Sequence, residues 1–81
     1  MHILVIEDEK KILDFIKRGL KEEGYVVSSA QNGNDGFNLA LAQDFDLIIL
    51  DIMLPDMDGI TICKKFRENS LYSPNFRLVK N

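Results

Sequence analysis

With 81 residues the chain has room for one domain, and a domain of that size buries a modest share of its unfolded surface, so every missing element costs stability. A hydrophobic share of 46% against 28% charged excludes intrinsic disorder, and 13 acidic against 10 basic residues leave no basic surplus with which to grip a phosphate backbone. The single cysteine cannot form an internal disulfide, no apolar run approaches the roughly 20 residues that span a bilayer, and no leader pattern precedes the first strand, so a reducing cytoplasm is the expected location, with no membrane and no nucleic acid as partners.

The run Ile3 to Ile6 is aliphatic throughout and too short for a helix, the pattern of a parallel strand covered on both faces. Over residues 9–23, Ile12, Phe15, Ile16 and Leu20 recur at three- and four-residue steps and Gly24 follows, which predicts a first helix with a left-handed C-terminal residue. "YVVSSA" (25–30), rich in β-branched residues, reads as a second strand. "NGNDG" (32–36) punctuates the chain before Phe37, Leu39, Ala40 and Leu41 resume helical spacing as far as Gln43. Leu47 to Leu50 is a third strand, and after a turn at Pro55, Asp58 is placed to cap a third helix whose apolar stripe includes Ile62, Cys63 and Phe66. Short strands alternating with amphipathic helices predict an α/β fold, an open parallel sheet with helices on both faces. Such sheets bind ligands beyond the carboxyl ends of their strands, where the strand order reverses.

Both of the most apolar strands run into acid: "ILVIEDE" (3–9) ends on Glu7, Asp8 and Glu9, and "LIILDIMLPDMDG" (47–59) carries Asp51 at the strand's end. If the first and third strands are neighbours, as in the order 2-1-3, Glu7, Asp8 and Asp51 converge. Carboxylates a few ångströms apart repel by about 4 kcal/mol per pair at an effective dielectric near 20, so such a cluster calls for a cation. Mg²⁺, held by one or two carboxylates and otherwise by water and substrate phosphate, is the simplest occupant. A remaining carboxylate, best Asp51, can then act as nucleophile toward a phosphoryl group.

From spacing alone a second reading stands beside this one: acids after a strand serve as helix caps or as favourable charges at a helix N-terminus. Glu9 fits that role better than the site, and Asp56 and Asp58, flanking a turn, read as capping and turn residues. His2 reads as a partly exposed neighbour of the first strand and Cys63 as core. Lys10, Lys11, Lys17, Arg18 and Lys21 read as the solvated face of the first helix.

Taken together, these stretches resemble the receiver domain of response regulators, the phosphoacceptor half of two-component signalling. "ILVIEDE" is similar to the family's first strand with its acidic pair, "GYVVSSAQNG" to its second strand, and "LIILDIMLPDMDG" to its phosphoacceptor strand and loop. The likeness is strongest to transcription-factor regulators with a winged-helix output domain. It implies a flavodoxin-like doubly wound sheet of order 2-1-3-4-5. It also implies Asp51 as the phosphorylated aspartate and a Mg²⁺ ligand, Asp8 as a second ligand, Glu7 acting through water, and the backbone carbonyl of Met53 completing the metal site. Pro55 and Gly59 would shape the following loop. A sensor histidine kinase or a small phosphodonor is the implied partner.

The resemblance covers residues 1–74 as a partial receiver and leaves 75–81 as an atypical tail. After "RENSLYSP", where the family enters a strongly apolar fourth strand ending in Ser or Thr, the sequence reads "NFRLVKN". Phe76, Leu78 and Val79 there allow a short edge strand. The family's hydroxyl residue and paired lysine have no aligned counterpart, and Ser70, Ser73 and Lys80 are not assigned to those roles. Two readings follow. One is an incomplete receiver of three strands and three helices, not an enzyme beyond Mg²⁺-dependent self-phosphorylation at Asp51, which is impaired. The other is a self-associating module, a homodimer whose partner completes the sheet.

Overall fold

A computed structural model describes residues 1–51 and 54–68 and the backbone of Arg77–Val79. Strand β1 (His2–Ile6) is aliphatic throughout because both of its faces are covered: Ile3, Leu4, Val5 and Ile6 are all buried. Helix α1 (Lys10–Glu22) leads to β2 (Val26–Ala30), α2 (Gly33–Ala42) to β3 (Leu47–Asp51), and α3 (Gly59–Glu68) to β4 (Arg77–Val79). Every pairing is parallel and the order is β2-β1-β3-β4. The expected 2-1-3 arrangement is present, with Ile3 opposite Leu47 and Ile6 opposite Leu50. The tail supplies the short edge strand, Ile49 pairing with Arg77 and Asp51 with Val79.

Alternation along the central strands divides the core. Leu4, Ile6, Ile48 and Leu50 face α2 and α3, where they bury Ala40, Ile62 and Phe66. Ile3 and Val5 face α1 and meet Leu13, with Ile16, Leu20, Leu47 and Ile49 packed around them. Phe66 is fully buried and stacks on Phe37 with ring centroids 5.8 Å apart; burying such a side chain contributes roughly 1.5 to 3 kcal/mol. Helices therefore lie on both faces of the sheet, the doubly wound, flavodoxin-like arrangement.

Two details depart from the sequence expectation. Phe15, expected on the buried stripe of α1, is 77% exposed, while Leu13 is buried. Leu13, Ile16 and Leu20, spaced three and four apart, form the face that meets the sheet, and Phe15 lies off that line. Helix α2 also begins at Gly33, so "NGNDG" is its cap and first turn. Asn32 is the N-cap, its Oδ1 accepting from Asp35 N at 2.8 Å, and Gly36 lies so close to β1 that a Cβ there would collide with Ile6 Cδ1. The glycines that look like loop residues are there because the helix start is packed against its neighbours.

At the other end of α1 the expected glycine terminator is present. Gly24 has φ +91°, its N–H donates to Lys21 O at 2.9 Å, and Tyr25 N donates to Leu20 O at 3.2 Å, a Schellman ending. A Cβ added to Gly19, in the exposed middle of α1, would meet nothing within 4 Å. Gly24→Ala should lower the free energy of unfolding by about 1 kcal/mol, and Gly19→Ala should raise it by about 0.8 to 1 kcal/mol. Urea denaturation checks both, and midpoints that move in the same direction would contradict this account of the helix.

Candidate metal centre

Parallel pairing of β1 with β3 fixes the site. Their register runs to Ile6 opposite Leu50, so the next residues, Glu7 and Asp51, leave the ladder side by side at the carboxyl end of the sheet. Glu7 N continues the other ladder, donating to Ala30 O at 3.0 Å, which holds the chain extended one residue past β1. Glu7 and Asp51 are buried, at 3% and 5% exposure, whereas Asp8 is exposed. Glu7, Asp8 and Asp51 each offer a carboxylate oxygen, and these atoms lie within 4.8 Å of one another. The sequence expectation placed these three acids together, and they are together here.

Burial pushes the Glu7 carboxyl above its ordinary value of 4.5, and the neighbouring Asp51 and Asp8 carboxylates add to the rise. The Glu9 N–H, donating to Glu7 Oε2 at 3.2 Å, pulls the other way. A buried acid that resists ionisation beside two more acids makes a cluster that a cation would stabilise. All of its donors are hard oxygens and one of its acids opens to solvent. That donor set fits Mg²⁺, which takes carboxylate oxygens and keeps waters on its open side.

The other singled-out residues do different work. Glu9 occupies the N-cap position of α1 but makes no side-chain cap bond there. Asp58 caps its own helix, accepting from Thr61 N at 2.7 Å, which holds its carboxyl below the usual range. Asp56 also acts as a cap, on a helix that the sequence does not point to: Oδ1 accepts from Gly33 N at 2.7 Å and Oδ2 from Asn34 N at 2.8 Å. Those bonds hold its carboxyl below the usual range, with Lys65 adding a favourable charge. The signal for this contact is absent locally, because it joins residues 23 apart in the chain. His2 is half-buried, its Nε2 2.9 Å from Ser28 Oγ and its ring 4.4 Å from that of Phe45. Cys63 is half-buried against the core, and burial pushes its thiol up, away from reactivity. Lys10 pairs with Asp14 at 3.3 Å on the solvated face of α1. Met53, Ser70, Ser73 and Lys80 lie outside the described residues.

The Glu7 shift has a sign that can be tested. Below 4.5 the group is protonated in both folded and unfolded chains and carries no penalty. As pH rises through 4.5 and on through the higher folded value, the folded state must ionise a buried acid and loses stability. In metal-free buffer Glu7→Gln should therefore be more stable than the parent near pH 7, with the difference vanishing near pH 4. Urea denaturation at both values checks this, and a gain that is equal at the two pH values would contradict it.

Residues 3–79 match the family described as the response regulator receiver domain. The transcriptional regulatory protein CusR of Escherichia coli is 51% identical over 67 residues, which are 83% of this chain and 30% of that protein. A relative named as a transcriptional regulator fits the transcription-factor subfamily that the sequence resembles. The receiver domain of a Francisella response regulator superimposes with a TM-score of 0.90 at 32% identity, covering 98% of this chain and 64% of that one. TrrA from Thermotoga maritima, solved in complex with Mg²⁺-BeF, gives a TM-score of 0.81 at 31% identity over 95% of this chain and 64% of that one. TrrA has also been solved with the histidine kinase ThkA, and that structure gives a TM-score of 0.80 at 30% identity over 98% of this chain and 66% of that one. The chain thus spans about a third of the length of the curated relatives it matches. With its family match running almost end to end over this sheet, the chain belongs to the response regulator receiver domain family.

Proposed function

We propose that this chain is the phosphoacceptor of a two-component phosphorelay in the cytoplasm, with Asp51 as the residue that is phosphorylated. The observation that carries the reading is the convergence of Glu7, Asp8 and Asp51 within 4.8 Å at the carboxyl end of β1 and β3. Asp51, fixed as the last residue of β3, presents a carboxylate oxygen to an incoming phosphoryl group. A new O–P bond forms as the donor's bond to phosphorus breaks, and the donor leaves with its electron pair: as imidazole from a phosphohistidine of a sensor kinase, or as acetate from acetyl phosphate. Asp8 and Asp51 would hold Mg²⁺ directly, Glu7 through a water, and the Met53 carbonyl would complete the set. When bound, the ion neutralises charge that builds on the phosphoryl oxygens. Glu7, buried beside Asp51, supports the site by keeping a second acid in reach.

A net charge of −3 disfavours nucleic acid as a direct partner, and transcriptional control belongs to regulators of the CusR kind as whole proteins. A structure of TrrA with the kinase ThkA supports a histidine kinase as donor.

Self-association is a second reading, favoured by uneven cover on the sheet. Among the described helices, α1 alone packs against the face that carries Leu47 and Ile49, and both are only half-buried. A second copy laid on that face would bury them.

Intact mass after incubation with Mg²⁺ and acetyl phosphate tests the first reading. One added phosphoryl group is expected on the parent and none on Asp51→Asn, and a folded parent that gains nothing would overturn it. Light scattering tests the second: a dimer is expected at micromolar concentration, and a monodisperse folded monomer would overturn it.

A further inference from the structure

Helix α1 turns one row of side chains to solvent that is its own complement. Lys11, Phe15 and Gly19 follow one another at four-residue steps, the spacing of a continuous ridge on an α-helix, and Glu23, the C-cap, ends the row. All four are exposed. Phe15 is 77% exposed, because Leu13, Ile16 and Leu20 take the side of the helix that meets the sheet. One turn further along, a Cβ added to Gly19 would meet nothing within 4 Å, so the ridge has an open notch beside a protruding ring. Opposite charges stand at its two ends, and neither Lys11 nor Glu23 makes an ion pair among the described residues.

A row ordered positive, large, notched and negative fits the same row reversed. When two copies meet antiparallel about a two-fold axis level with Lys17, each residue faces the one equally far beyond that axis. Phe15 then falls on Gly19 of the second copy and Lys11 on its Glu23, and each contact is made twice. Moving the axis about half a turn either way sets Phe15 on Phe15 or on Glu23, and a parallel arrangement sets like charge on like charge. A glycine at the crossing also lets two helix axes approach to the near end of the usual range of roughly 8 to 10 Å. We infer that the chain forms an isologous dimer through α1, with Phe15 seated in the Gly19 notch of the second copy and Lys11 paired with its Glu23. This rests on the self-association reading and supplies the residues that make the contact, on the helix that covers the Leu47 and Ile49 face of the sheet. The occupant is a second copy because the reversed row offers a notch for the ring and both counter-charges at matching spacing.

The experiment is a sedimentation-equilibrium series that gives the dimer dissociation constant for the parent, Phe15→Lys, Gly19→Ala, Lys11→Glu, Glu23→Lys and the double variant Lys11→Glu with Glu23→Lys, each first checked for fold by circular dichroism. Phe15→Lys should raise the constant about a hundredfold, as loss of a central aromatic anchor does. Each single reversal sets like charges together and should raise it about tenfold, and the double variant should return to within about threefold of the parent. Gly19→Ala separates the interface from helix propensity: the added methyl should stabilise the diluted monomer against urea while it fills the notch and raises the dissociation constant about tenfold. A parent that stays monomeric would overturn the inference together with the self-association reading. A dimer that survives Phe15→Lys would overturn the inference alone, since the contact would then lie elsewhere, as on the face of Leu47 and Ile49. So would a double variant no tighter than the single reversals, a Gly19→Ala that dimerises as well as the parent, or a Phe15→Lys that does not fold, since the ring would then be a folding determinant.

Discussion

Pairing of β1 with β3 in parallel register is the constraint from which the rest of the molecule follows. It places Glu7 beside Asp51 and leaves neither room to move away, because Ile6 and Leu50 are wholly buried one residue earlier. Two acids in such confinement cost stability, and the cost falls on a small domain with little to spare. The backbone answers in part: the Glu9 amide donates to Glu7, and the Ala30 carbonyl accepts from the Glu7 amide. A cation that enters the cluster would bind a folded state in which the three acids are already brought together.

Among the described residues, the buried acids lie at one rim of the sheet. At the opposite rim, where the strands begin, polar groups are matched. His2 N donates to Asp46 Oδ2 at 2.7 Å, Asp46 N donates to His2 O at 2.8 Å, and the His2 ring lies against Phe45. That latch holds the start of β1 to the chain entering β3, so the two strands are fastened where their acids are not. Rigidity at one end lets the other tolerate repulsion without the ladder opening.

The strands and the acidic site were legible in the sequence because both follow from local pattern. Aliphatic runs of four residues read as strands in an alternating chain, and the acids that end two of them, which fit a capping role as well, come to one place once the first and third strands are taken as neighbours. What was not legible depends on contacts across the chain. Phe15 satisfies the helical spacing as well as Leu13 does, and only the position of the sheet decides which of them is covered. The start of α2 was hidden because glycine and asparagine signal a turn locally, while the Asp56 carboxylate and the Ile6 side chain that favour a helix there come from elsewhere. Asp56 itself was recognisable as a capping residue, but not the helix it caps.

The contact between Gly36 and Ile6 has a consequence for inheritance. The spacing of α2 from β1 is set by an atom that is missing, so any side chain at position 36 must be matched by lost volume at position 6. Neither change is neutral alone: one crowds the interface and the other hollows it. The two positions therefore form a single unit of variation, and a lineage that wished to exchange either would have to pass through a less stable ancestor or change both at once.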